Sequence, residues 1–132
     1  MPETNAQIVV DKLLRKAGWI LPGDEGVVNV DTKARNREGY AYYILKDNSD
    51  FPLCVIEAKN GLVSLLERKE QVKRYAESLS CRFVIISNSA THYLWDIERD
   101  SPDVINVFPT QKLLELRKPK FNPARQEAKG NC

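Results

Sequence analysis

A short, almost purely apolar segment at residues 82–87 (RFVIIS) constrains the fold of this chain more than any other feature. Apolar runs of this length are typical of strands that are buried on both faces. Such a strand requires a sheet that is covered on both sides, and helices are the usual cover. The chain has 132 residues, which fits one domain. The sequence therefore predicts an α/β protein with a single layered domain.

Periodicity and turn residues divide the rest of the chain into further elements. Apolar residues recur at helical spacing over residues 3–17 and 62–79, and a last short helix is predicted over 110–117. Strands are predicted over residues 27–30, 40–45, 53–58, 82–87 and 91–97, with a brief extended segment over 104–108. The second and third strands form a hairpin, and the long helix crosses over to the fourth. This order predicts a mixed sheet with helices on both faces.

The segment at residues 53–59 (LCVIEAK) places two charged residues at the end of an otherwise apolar strand. Because side chains alternate along a strand, Glu57 and Lys59 are predicted to share a face with Leu53 and Val55. Removing charges from water is costly unless they pair or bind something. The two residues therefore form either a structural ion pair at the edge of the sheet or part of a functional site.

A glutamine and a tyrosine lie one turn apart on the helix that follows this strand. The i, i+4 spacing of Gln71 and Tyr75 puts the amide and the ring on one helical face. In the predicted topology, that face lies against the end of the sheet that carries Glu57 and Lys59. A tyrosine at such a position is often only a core residue, whereas a half-buried amide needs hydrogen-bond partners.

These segments together resemble the N-terminal nuclease domain of the R (motor) subunits of type I restriction enzymes, within the PD-(D/E)XK nuclease superfamily. The resemblance spans roughly residues 2–109 and combines the first helix ending in AGW, the E-x-K strand, the Q-x-x-x-Y helix and the strand pair at 82–97. It implies a restriction-endonuclease-like αβββαβ core, with a mixed central sheet flanked by helices, over residues 1–110. It also implies DNA as substrate and partner, and hydrolysis of phosphodiester bonds with Mg²⁺ or Mn²⁺ as cofactor.

The resemblance assigns roles to individual residues of the site. Glu57 would ligate the metal beside the backbone carbonyl of Ala58, and Glu3 in the first helix would add a contact through water. Hard oxygen ligands of this kind suit Mg²⁺. Lys59 would orient the attacking water and offset charge on the scissile phosphate.

The same helix carries the accessory residues that the resemblance implies. Gln71 and Tyr75 match a motif that supports the site or contacts DNA. The basic pairs at 68–69 and 73–74 are interleaved with glutamates. They form either a salt-bridged solvent face or, in the case of Lys73 and Arg74, a contact with the DNA backbone.

Tyr42 departs from the family pattern. That pattern is Gly-x-Ala-Asp-Tyr in the strand before VIEAK, with the Asp as principal metal ligand, and this chain has GYAYY at residues 39–43. A phenol with an ordinary pKa of about 10 is a poor Mg²⁺ ligand at neutral pH. Asp50 and its neighbour Asp47 lie too far away, since Asp50 is about 20 Å along the strand from Glu57. Asp31 could substitute only if its strand ends beside the site.

Composition excludes several other classes of protein. No stretch approaches the roughly 18 apolar residues of a membrane span, and the N-terminus lacks the pattern of a signal peptide. Three widely spaced cysteines argue against a disulfide framework or a zinc module, so we expect a cytoplasmic protein. The scattered glycines form no phosphate-binding loop and indicate no nucleotide site. The single histidine, His92, is predicted to be structural or exposed.

The end of the chain differs in charge from the rest. Residues 111–132 contain six lysines and arginines against two acidic residues, whereas residues 1–110 contain fourteen against sixteen. The pattern predicts a short helix followed by a basic tail or linker. This tail is either solvated, or touches phosphates, or tethers further domains.

Three functions are consistent with these observations. The first is a metal-dependent endonuclease domain of a type I restriction R subunit, with activity impaired by Tyr42. The second is a catalytically inactive nuclease-like fold that binds DNA or a partner subunit. The third is an α/β interaction domain with no nucleic-acid role. In the resembled enzymes, the partners are helicase (motor) domains and the methylation and specificity subunits.

Overall fold

The computed structural model describes residues 5–33, 41–59 and 68–117, which are organised around one six-stranded sheet. The strands follow one another in the sheet in chain order: β1 (Val30–Lys33), β2 (Ala41–Lys46), β3 (Pro52–Ala58), β4 (Phe83–Ser87), β5 (His92–Asp96) and β6 (Ser101–Val104). The helices of the described ranges are α1 (Asn5–Lys16), α2 (Lys69–Ser78) and α3 (Gln111–Leu116).

The sheet is mixed, as the sequence predicts. Neighbouring strands are antiparallel except for β3 and β4, which run parallel. A parallel pair needs a crossover connection, and α2 lies in it. All five residues of β4 are buried, which confirms that the apolar segment is a central strand covered on both faces.

The two faces of the sheet carry separate apolar clusters. The cluster on one face joins α1 and α3 to the sheet, and the cluster on the other joins α2 to it. Successive residues of β4 alternate between them, since Val84 belongs to the α2 cluster and Ile85 to the α1 cluster. The predicted arrangement of helices on both faces is therefore confirmed.

Helix α1 ends at a glycine, as predicted. Gly18 has a φ of +93°, which is the left-handed region that favours glycine. The amide of Trp19 donates to the carbonyl of Leu14 at 3.0 Å, and the amide of Gly18 donates to Arg15 at 3.0 Å. This is a Schellman motif, and it turns Trp19 into the core, where it is 2% exposed.

The hairpin of β2 and β3 also agrees with prediction, but its geometry places one residue on the opposite face. The pairing shifts after Leu45, where Lys46 faces Pro52 and Leu45 faces Cys54. Leu53 is the extra residue of this irregularity and packs in the α1 cluster, whereas Val55 packs in the α2 cluster. The prediction that Leu53 shares a face with Val55 and Glu57 is therefore wrong.

Two predicted strands differ in their bounds, and one helix is described only in part. The first strand begins at Val30 rather than at residue 27, because the backbone and side chain of Asn29 both bond to Ile20. The last strand covers Ser101–Val104 rather than 104–108, and Phe108 is instead buried in the core. Of the helix predicted over 62–79, the described part is Lys69–Ser78, and residues 62–67 lie outside the described residues.

Within the described ranges, no helix has both the length and the apolar character that a membrane crossing requires.

Candidate functional site

Glu57 lies at the centre of the candidate site, near the carboxyl end of β3. Its side chain is only 1% exposed, and its two neighbours along the strand are apolar. Alternation along the strand places it on the face of Val55, which packs in the α2 cluster. A carboxylate in this position needs a partner to compensate for its lost hydration.

Arg68 is that partner. Its Nε donates to Oε2 of Glu57 at 3.0 Å, and its Nη2 donates to Oε1 at 2.9 Å. The guanidinium therefore engages both carboxylate oxygens in a two-pronged ion pair, the strongest geometry available to these groups. Only 15% of the Arg68 side chain is exposed, so water screens the pair weakly.

Gln71 completes the arrangement around the guanidinium. Its Oε1 accepts a hydrogen bond from Nη1 of Arg68 at 2.6 Å. Gln71 is exposed, and not half-buried as the sequence predicts. Since Arg68 directly precedes α2, the network links the end of β3 to the first turn of the helix.

Tyr42 faces Glu57 across the β2–β3 pair. The two residues are direct partners in the register, so their side chains are neighbours on the α2 face. The Tyr42 ring also meets Tyr75 edge to face, with 5.5 Å between the ring centroids. Burial raises the pKa of Tyr42 to about 12, and the charge of Glu57 and a hydrogen bond to it act in the same direction. The phenol is therefore protonated at neutral pH.

The other residues predicted to surround Glu57 hold different positions. Ala58 is buried and faces Ser87 of β4 in the register. Lys59 is half-buried, and its amide donates to the carbonyl of Ser87 at 3.0 Å. Glu3 lies outside the described residues.

The two residues predicted to contact DNA lie further along α2. The ammonium of Lys73 lies over the ring of Trp95 on β5, at 5.6 Å from the ring centroid, and Lys69 lies over the same ring at 4.3 Å. Arg74 is exposed. Lys73 therefore extends along the β5 side of the helix, two strands away from Glu57 in the sheet.

The aspartates of β1 and of the β2–β3 turn have structural partners of their own. Asp31 and Asp50 both bond to the ammonium of Lys46 at 3.1 Å. Asp47 is buried, and its Oδ1 accepts from the amides of Ser49 and Phe51 in the turn. Asp31 faces Ile44 in the register, so its strand does not bring it to Glu57.

The residues described around Glu57 do not fit a divalent metal. Both oxygens of the only carboxylate in this cluster bond to a cationic side chain, and the facing Tyr42 is a neutral phenol. Nowhere in the described ranges do three or more acidic, histidine or cysteine side chains form a group that could hold a metal ion. Mg²⁺ prefers several carboxylate and water oxygens in an octahedral arrangement.

The single histidine lies in the core on the opposite face. His92 is 7% exposed, and its Nδ1 lies 2.6 Å from Oγ of Ser87, which is itself buried. The ring meets Phe108 edge to face, and burial lowers the pKa of His92. A structural histidine is one of the two outcomes that the sequence predicts.

Arg68 takes part in the site although its sequence pattern predicts no role for it there. It lies in a run of alternating basic and acidic residues, which is typical of a solvated helix face. The available signal was its i, i+3 spacing to Gln71, since residues at that spacing share a face. If Glu57 on the preceding strand is buried, its carboxylate requires a cationic partner, and Arg68 lies on the same helix face as Gln71.

The comparisons with known proteins agree with this fold. A family model described as "Type I restriction enzyme R protein N terminus" matches residues 3–109. Among solved structures, the chain is similar to a fragment assigned as the HsdR subunit of a type I restriction enzyme from Vibrio vulnificus. The TM-score is 0.62 at 20% sequence identity, and the match covers 86% of this chain and 24% of that chain.

That structural relative is thus about four times longer than the region it shares with this chain. No curated protein sequence matches the chain. The family match covers well over half of the sequence, and its residues include β3 and α2, which form the cluster around Glu57. The chain belongs to the family of type I restriction enzyme R protein N termini.

Proposed function

We propose that this chain is the DNA-acting, nuclease-type domain of a type I restriction R subunit in which phosphodiester hydrolysis is impaired. One observation chiefly supports the proposal. Four positions that match the motifs of the resembled nucleases, Glu57, Tyr42, Gln71 and Tyr75, meet at the carboxyl end of β3. Hydrolysis is impaired because a neutral phenol stands where such a site needs a second carboxylate.

DNA contact in this proposal comes from cations around the end of β3 and along α2. Lys59 follows Glu57 by two residues, and its charge would offset charge on a phosphate group. Arg74 is exposed on α2, and Lys73 lies beside it. Contacts of this kind position the duplex without reading its sequence.

Sequence recognition and translocation would then belong to other parts of the restriction complex. We propose that helicase (motor) domains and the methylation and specificity subunits are the partners. The match leaves most of the Vibrio vulnificus relative uncovered, and that part is long enough to contain such domains.

DNA binding is the first test, measured by fluorescence anisotropy of a labelled duplex over a series of salt concentrations. We expect affinity to fall steeply as salt rises, because phosphate contacts release counter-ions. The double variant Lys73→Ala with Arg74→Ala should weaken binding and flatten the salt dependence. Lys112→Ala removes one exposed charge from α3, on the other face, and is the control for each single variant, Lys73→Ala and Arg74→Ala. Absence of salt-sensitive binding would contradict the proposal.

Nicking of supercoiled plasmid with Mg²⁺ or Mn²⁺ is the second test. We expect no nicking by the unaltered chain. Nicking by it would show that hydrolysis is intact, and the carboxylate of Glu3, outside the described residues, would be the first to examine. The restored variant combines Tyr42→Asp with Arg68→Ala, and a triple variant adds Glu57→Ala. Nicking by the double but not by the triple variant would support a nuclease-type site.

A second candidate is a catalytically inactive module that binds DNA or a partner subunit. The two-pronged bond between Arg68 and Glu57 favours it, because the carboxylate is already engaged by the protein itself. This candidate predicts no nicking in any variant, including the restored one, whether the module binds DNA or only a partner subunit.

A further inference from the structure

We propose that the guanidinium of Arg68 is the resident cation of this site and serves in place of a divalent metal ion. A divalent ion should therefore bind only when Arg68 is removed and Tyr42 is replaced by a carboxylate. The inference rests on the proposed function only in treating the cluster as a nuclease-type site. Its test measures binding of a metal ion and does not depend on DNA.

Charge balance is the first argument. A site with two carboxylates presents about two negative charges, which a divalent ion matches. Here Tyr42 occupies the position facing Glu57, and a phenol carries no charge at neutral pH, so Glu57 supplies the one negative charge among the residues described in this cluster. One guanidinium matches that single charge, whereas a divalent ion would leave an excess positive charge beside a carboxylate that is almost fully buried.

Hydrogen-bond geometry is the second argument. Nε and Nη2 of Arg68 satisfy the two oxygens of Glu57, and Nη1 bonds to Gln71. A metal ion that approached Glu57 would have to displace a guanidinium held by three hydrogen bonds at 2.6 to 3.0 Å. A planar fork of this kind suits a carboxylate better than a point charge does.

The position of Arg68 on its helix is the third argument. Arg68 is the N-cap residue that directly precedes α2, and its side chain caps no helix amide. The N-terminus of a helix carries partial positive charge, so a cation there is unfavourable for the helix itself. The bond to Glu57 explains the placement, because the carboxylate gives the cation a partner that the helix end does not.

The test measures Mn²⁺ binding, by loss of the free-ion EPR signal and by shifts in melting temperature. Four proteins are compared: the unaltered chain, Tyr42→Asp, Arg68→Ala, and the double variant. We expect binding in the double variant to be at least about tenfold tighter than in either single variant or in the unaltered chain. Competition by Mg²⁺ would then identify the site as one for hard divalent ions.

Arg82 provides a matched control elsewhere in the sheet. It makes a similar two-pronged bond to Asp96, with Nε and Nη2 at 2.9 and 2.8 Å from the carboxylate oxygens. Tyr42→Asp combined with Arg82→Ala therefore loses a comparable ion pair but keeps Arg68 on Glu57. We expect this variant to bind Mn²⁺ no better than Tyr42→Asp alone.

Several results would overturn the inference. Mn²⁺ binding by Tyr42→Asp as tight as that of the double variant would show that Arg68 does not exclude the ion. A folded double variant that binds no Mn²⁺, or binding by the Arg82→Ala control equal to that of the double variant, would do the same. If Arg68→Ala unfolds the double variant, Arg68→Gln takes its place in the same comparison with Tyr42→Asp.

Discussion

In the cluster around Glu57, one buried negative charge requires a positively charged neighbour. Its carboxylate is 1% exposed, so its stability in the fold depends on Arg68 rather than on water. The sequence was sufficient to select Glu57 and Gln71, because a charge at the end of an apolar strand and an amide on the next helix are local patterns. It was not sufficient to select Arg68, because pairing across 11 residues depends on where the helix begins in space.

Replacing Arg68 with alanine should destabilise the protein by about 3–5 kcal/mol, because it leaves an unpaired charge in the interior. The free energy of unfolding in urea measures this. Arg15→Ala is the control, since the Arg15–Asp24 pair is largely exposed and such pairs contribute about 0–1 kcal/mol. Equal effects of the two substitutions would contradict the importance of burial at Glu57.

Tyr42→Phe should change how stability depends on alkaline pH. The folded state raises the pKa of Tyr42 to about 12 from an ordinary value of 10.0, so the folded chain holds this proton more tightly than the unfolded chain. The stability that this proton contributes is fully present below pH 10 and is lost between pH 10 and about 12. The urea midpoint of the unaltered chain should therefore fall more steeply than that of Tyr42→Phe over this range. Parallel curves would count against a perturbed Tyr42.

The elements that carry a burial pattern were predictable, and those without one were not. Strand β4 is a continuous apolar run and helix α1 shows apolar periodicity in the sequence, and both appear where expected. Strand β6 has the sequence SPDV and is mostly exposed, so backbone hydrogen bonds to β5 alone define it. It is also an edge strand, where Pro102 is tolerated. The sequence of such a strand has no hydrophobic pattern from which it could be predicted.

The β4–β5 pair contains the chain's single histidine and gives a prediction at acid pH. Burial lowers the pKa of His92 below its ordinary value of 6.5, so the unfolded state binds this proton more readily than the folded state. Stability should therefore fall as pH drops below about 6.5, down to the lower pKa of the folded state. His92→Gln should remove this component of the pH dependence of the urea midpoint. A variant with an unchanged acid slope would show that other groups cause it.

At the scale of the whole molecule, the sheet separates two apolar clusters that share the same central strands. Neighbouring residues Val84 and Ile85 of β4 are both fully buried, yet each belongs to a different cluster. The sequence predicts this arrangement from the apolar character of β4, because only a two-faced burial explains it. Any loss of packing on one face therefore also displaces the strands that support the other.

The two tryptophans test whether both faces unfold together. Trp19 lies in the α1 cluster and Trp95 in the α2 cluster, and these are the only tryptophans of the chain. Trp95→Phe leaves a fluorescence reporter for the first face, and Trp19→Phe leaves one for the second. In each variant, the urea midpoint from fluorescence should coincide with that from far-ultraviolet circular dichroism, because a domain of this size unfolds as one cooperative unit. A fluorescence transition that precedes the loss of secondary structure in either variant would mean that its face loses packing first. If the face that loses packing first is the one reported by Trp95, the cluster around Glu57 lies in a part of the protein that unfolds independently.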